Sequence, residues 1–133
     1  MKHLSQLLMA KLGITALVWC APALFLTPEI LHTKLGFPPL GTAGVFLQLL
    51  GMAYAALIVV YVFGLIELRR GAYPHCTVWT GLVSNGGAFL VLALAAWRGD
   101  WRSWTGVAPL YMWGSLLATG LISVGLGALG PWR

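Results

Sequence analysis

Carboxylates are the scarcest chemistry in this chain. Three occur in 133 residues, Glu29, Glu67 and Asp100, and none lies inside a long apolar run. A proton-coupled carrier that works through a buried acid, as the small multidrug resistance transporters do, therefore lacks the residue it needs. Histidine is nearly as rare, and His3, His32 and His75 all fall at the ends of apolar runs or between them. That placement excludes haem held by inward-facing histidines and any metal site of three nitrogen or sulfur ligands. There are two cysteines, Cys20 and Cys76, with no Cys-x-x-Cys spacing for thiol exchange. If both belong to membrane helices they stand about 20 Å apart along the membrane normal, too far for a disulfide. No metal and no cofactor is predicted. Charge as a whole is thin at 8%, and no basic face exists for nucleic acid.

What the chain has instead is oil. Hydrophobic residues make up 59% of it, and the mean hydropathy is +0.86. Runs of about 20 apolar residues cross the hydrocarbon core of a bilayer as helices, and four such runs are present, at about 4–26, 41–66, 77–97 and 104–129. The expected fold is all-α, one domain over 1–133, an integral membrane up-down four-helix bundle. A closed barrel would need short alternating strands, which these continuous Leu/Ala-rich runs are not. Trp97, Trp101 and Trp104 bracket the last connection and are expected at the headgroup layer. Lysine and arginine divide five against three between the two sides: Lys2, Lys11, Arg69, Arg70 and Arg133, against Lys34, Arg98 and Arg102. That asymmetry predicts cytoplasmic termini and residence in the bacterial inner membrane, and the net charge of +5 suits contact with anionic headgroups. The first run imitates a secretory signal, ending in Ala-Pro-Ala at 21–23, but continues apolar through Phe25 and Leu26, so a retained helix is expected.

Polar residues within the runs carry the functional question. Counted at 1.5 Å per residue from the predicted cytoplasmic ends, Lys11, Tyr61, Asn85 and Ser123 lie about 8–12 Å deep, one on each helix. An unsatisfied polar group in hydrocarbon is costly, so these four are expected to share a layer, with Asn85 as an interhelical hydrogen-bonding group. Lys11 has two readings. It can snorkel to the headgroups along its own stem, which is the simpler one, or it can face an interior partner such as Glu67. Glu67 and Arg70 also have the helical spacing of a surface ion pair.

Small residues recur at intervals of four. Gly51 and Ala55 mark the second helix, Gly81 with Asn85 and Ser84 with Ala88 the third, where Gly86 and Gly87 follow; Gly114 and Ala118 mark the fourth. The fourth also carries Tyr111, Ser115, Thr119, Ser123 and Gly127 as one ridge. Such ridges let helix backbones approach where lipid supplies no hydrophobic drive, and packing is the plainer reading of the whole pattern. Glu29, His32 and Lys34 read as a solvated loop, and the RGD at 98–100 as a chance tripeptide. Ser84 has no histidine at its depth to activate it. An enzyme would have to draw on His75, Glu67 and Arg70.

With "GLIELRRGAYP" after the second run and "GLVSNGG" within the third, the chain resembles the small four-helix bacterial inner-membrane proteins grouped around the DoxX-like families. The resemblance implies a partner of other subunits in membrane redox or sulfur metabolism. It carries over no site residue. The leading expectation is a non-catalytic accessory subunit that associates with itself or with other membrane subunits through its small-residue faces. The alternatives are a quinone- or lipid-binding protein with a pocket at Lys11, Tyr61, Asn85 and Ser123, and a small oligomeric channel or permease.

Overall fold

A computed structural model describes residues 1–130, and among them every regular element is helical. Four helices are long and apolar enough to cross a membrane: α1 (Lys2–Phe25), α3 (Ala43–Arg69), α4 (His75–Arg98) and α5 (Ala108–Leu129). The all-α four-helix architecture is as the apolar runs predict, with boundaries moved by a few residues. Arg133, counted above for orientation, lies outside the described residues.

The largest boundary shift has a local cause. The fourth helix starts at Ala108 rather than near 104, because Trp101 to Gly106 are taken up in turns. The connection after α1 is also more than a loop. Thr27 caps a short helix, α2 (Pro28–Thr33), its hydroxyl accepting from the Ile30 amide at 3.3 Å. The chain then turns at Gly36, whose φ is +81°. The Leu35 carbonyl accepts from the Val107 and Ala108 amides at 3.1 and 2.9 Å, so this segment supplies the missing partners at the start of α5. A Cβ on Gly36 would overlap the Thr105 carbonyl, which fixes glycine there for both sterics and dihedral.

α1 is interrupted in its C-terminal half. Residues Thr15–Cys20 form a π-helical stretch, and α-helix resumes at Ala21 with Pro22 in its first turn. Pro22 has no N–H to give to the helical bond ladder, and the nearby Val18 carbonyl takes a donor from another helix. The Tyr111 hydroxyl of α5 donates to that carbonyl at 2.9 Å. The Cys20 thiol likewise donates to the Gly51 carbonyl of α3, at 3.5 Å. Both cysteines are free, as their predicted separation requires.

Around the bundle the order is α3, α1, α5, α4. The α4–α5 and α1–α3 contacts run along the helices, whereas α1 with α5 and α3 with α4 both meet sparsely. The α3 and α4 helices have a local tie. They are pinned close to the termini: Thr77 donates to the Val60 carbonyl at 3.2 Å, and Gly64 lies so close to Thr77 that an added Cβ would come within 2.5 Å of its side chain. That same end is packed shut by Leu4, Leu8, Val78, Ile122 and Leu126, each 5% exposed or less.

Candidate functional site

Above the packed end the bundle is hollow. A cavity of about 390 Å³ lies between α1, α3, α4 and α5, a size typical of small-molecule sites. Its floor, toward the termini, is polar: Lys11 and Thr15 from α1, Ser84 and Asn85 from α4, Ser115 and Thr119 from α5. Its walls are largely carbon, with Leu47, Leu50 and Leu57 on α3 facing Ala88 and Leu92 on α4. Leu31, Leu35, Phe37 and Leu40 from the α2 segment cover the far end. Phe37 is wedged there against Trp104 and Tyr111, with ring centroids 5.7 Å away in each case.

Lys11 is the central residue of the floor. Its side chain is 1% exposed and its Nζ sits 4.5 Å from the centroid of the Tyr61 ring. The snorkelling expectation is thereby overturned. Leu4, Leu8, Lys11 and Thr15 recur at intervals of four and three, so the helical period that turns the two leucines into the core turns the lysine with them. The interior partner is an aromatic face, a cation–π contact, and not Glu67. Glu67, Arg69 and Arg70 are exposed at the end of α3, outside the cavity. Glu67 and Arg70 do not pair either; the ion pair found among the described residues is Arg98 with Asp100, at 2.9 Å in the α4–α5 connection.

The floor is knit by short polar contacts. The Asn85 amide donates to the Gly81 carbonyl at 2.7 Å and to Ser84 Oγ at 3.3 Å, and Ser84 Oγ lies 3.3 Å from the Tyr61 hydroxyl. Asn85 is thus buried as expected, bonds to Gly81 and Ser84 of its own helix, and also reaches the Tyr61 hydroxyl of α3. The Trp19 indole donates to Ser115 Oγ at 3.0 Å, and Thr119 donates to the Ser115 carbonyl at 2.8 Å. One group has no partner: the Thr15 hydroxyl, on a residue 1% exposed, is buried without a hydrogen bond. It opens the π-helical stretch, where the regular bond ladder of the helix shifts.

Ser123 is not part of this layer. Its hydroxyl donates to the Thr119 carbonyl one turn back, at 2.8 Å, and it does not line the cavity. The reason is geometric. A ridge at intervals of four drifts by about 40° per step on a helix of 3.6 residues per turn, so Ser115 and Thr119 face inward while Ser123 and Gly127 have rotated aside. Ile122 and Leu126 take the inward positions.

The glycine pattern divides in the same way. Gly51 receives Leu24 and Ala23, and an added Cβ would come within 2.8 Å of Leu24; Gly81 receives Leu126 at 2.7 Å and the Lys11 Cε at 3.6 Å. Ala55 and Ala118 are half-buried between helices. Gly87, Gly114 and Gly127 meet nothing within 4 Å of a notional Cβ, and Gly86 meets only Ser123 Oγ, at 3.9 Å. These four do not mediate close helix contact within the chain, because positions 86 and 87 lie about 100° and 200° around α4 from Asn85.

Two further expectations are corrected. Trp101 is 3% exposed and packs edge-on against Trp113 at 5.6 Å, so it is a packing residue and not a headgroup anchor. Trp97, 81% exposed, keeps the anchoring geometry. Glu29, His32 and Lys34 are exposed, but the segment carrying them covers the cavity with its apolar residues.

Trp19, Thr15, Tyr54 and Tyr111 also line the site and are absent from the sequence-based set. The signal available for Thr15 and Trp19 was their helical register with Lys11. For Tyr111 it was its place on the ridge with Ser115 and Thr119; for Tyr54 none was available, because its role depends on how separate helices are placed. Among the described residues, no cluster of three metal-ligating side chains occurs. No family model, no curated protein and no solved structure matches this chain, so the site is interpreted from its own geometry.

Proposed function

We propose that this multi-pass membrane protein binds a small amphiphile, a quinone or a lipid, in the hollow half of its bundle. The observation that carries the reading is a cavity with carbon walls and a polar floor built around a buried lysine. Access from the lipid side is part of the proposal, and Leu50 suits it, since it lines the cavity and is still 47% exposed. Polar floor residues orient a head while apolar walls take a tail, the usual division in small-molecule sites.

Lysine and arginine asymmetry supports cytoplasmic termini, and with the DoxX-like resemblance it supports a bacterial inner membrane as the location. The accessory-subunit reading keeps one observation of its own. Gly87 and Gly114 are exposed with open space over them, a flat approach for a helix of another subunit. The Ser115–Thr119 part of its ridge is occupied inside the chain.

Native mass spectrometry of the protein released directly from its own membrane separates these readings. The expected result is a small molecule retained by the wild type and lost in Ala88→Phe, which fills the cavity from α4. An empty protein in both cases would sink the binding reading. A co-purifying larger subunit would favour the accessory one, and a symmetric oligomer alone the channel or permease.

A further inference from the structure

Resting on that reading, the ligand's class can be narrowed by accounting for donors and acceptors on the floor. A protonated lysine brings three donors and a threonine hydroxyl one. Lys11 has the Tyr61 face as its neighbour and no carboxylate; all three acidic residues are exposed, Glu29 in α2, Glu67 at the end of α3, and Asp100 paired with Arg98. Thr15 Oγ has no partner at all. Asn85, Trp19 and Thr119 already spend donors on protein acceptors. What Lys11 lacks is an anionic partner among the described residues. A buried cation left without compensation is strongly disfavoured.

The charge count sets the head. One lysine and no arginine line the cavity, which suits a monoanion; doubly charged phosphate groups are typically met by several cations or an arginine fork. Volume sets the tail. About 390 Å³ equals the liquid volume of about 13 water molecules at ~30 Å³ each. A single chain fits with its distal part leaving through the α3–α4 seam, whereas a diacyl phospholipid has several times too many heavy atoms.

We infer that the cavity takes a single-chain carboxylate, a free fatty acid or a molecule of that chemistry. Its head is held by Lys11 Nζ and the Thr15 hydroxyl, and its chain lies between Leu50 and Leu92. Thr15 lines the cavity, and its buried hydroxyl has no hydrogen-bond partner in the protein.

The test uses the full-length protein in detergent. Displacement of cis-parinarate by oleate, methyl oleate and oleyl alcohol is followed through energy transfer from tryptophan, with Ala88→Phe as the blank for partition into micelles. Oleate is expected to bind at least tenfold more tightly than its ester or alcohol. Lys11→Met should abolish that preference, and Thr15→Val should weaken oleate several-fold without changing the alcohol. Equal affinities for the three probes, all lost in Ala88→Phe, would overturn the carboxylate assignment while leaving amphiphile binding intact, with decylubiquinone as the next probe. Identical behaviour of the wild type and Ala88→Phe toward every probe would remove the binding reading itself. Should Lys11→Met fail to fold, the comparison of oleate with its ester on the wild type, together with Thr15→Val, decides the question.

Discussion

The two halves of this bundle are built from the same kind of sequence and finish differently. Near the termini, Leu4, Leu8, Val78, Ile122 and Leu126 close the interior, and Gly64 and Gly81 bring the helices together over it. Toward α2, the residues that continue the same inward faces are Thr15, Trp19, Asn85, Ser115 and Thr119, and the helices enclose a cavity. The difference lies in side-chain volume and in the α3–α4 seam, pinned at Thr77 and Val60 but sparse as a whole. Packing cost is therefore concentrated at one end, and room for a guest at the other.

Substitutions that treat the halves alike should expose that contrast. The largest effect is expected for Leu126→Ala in the packed half, which leaves a void under Gly81 and should cost about 2–5 kcal/mol. The check is the unfolding midpoint in SDS titration. A loss below about 1 kcal/mol would mean that this end is not the rigid one.

Next comes Tyr111→Phe, which removes the donor to the Val18 carbonyl. The expected cost is about 1 kcal/mol, close to the ~0.6 kcal/mol average for polar contacts in membrane bundles. Infrared spectroscopy of a ¹³C-labelled Val18 carbonyl would report the lost bond directly. An unchanged carbonyl frequency would break the link between the π-helical stretch and α5.

Ala88→Phe sharpens the comparison from the hollow side. Overpacking a filled core costs about 1–3 kcal/mol, but here the ring enters open space, and a change of less than about 1 kcal/mol is expected. A large destabilisation would show that the space is filled by side chains in the folded protein. The smallest effect is expected for Thr15→Val, which keeps the β-branched shape and deletes a hydroxyl with no partner. Stability of the ligand-free protein should stay level or rise by up to about 1 kcal/mol. A clear loss would mean that the hydroxyl is bonded.

Much of the fold was legible because it depends on quantities a sequence carries. Four apolar runs of spanning length leave helices as the way to satisfy the backbone in lipid, and the short connections between them dictate up-down order. The depth of Lys11, Tyr61 and Asn85 was also legible, since rise per residue converts position into height. Which way each side chain turned was harder. The lysine's face was written in its register with Leu4 and Leu8, yet height alone suggested a snorkel to the surface. Ser123 was misassigned because spacing by four drifts around a helix.

The sequence by itself determined that this chain is four membrane-length helices, all-α, with a few polar groups at one level and scarcely any acid to balance a buried lysine. Only the tertiary structure decided that those groups floor a cavity, that Tyr111 bonds the Val18 carbonyl across helices, and that the α2 segment folds over as a cover. These depend on the relative rotation and splay of separate helices. Such angles are set by many weak contacts at once, and no local stretch of residues encodes them.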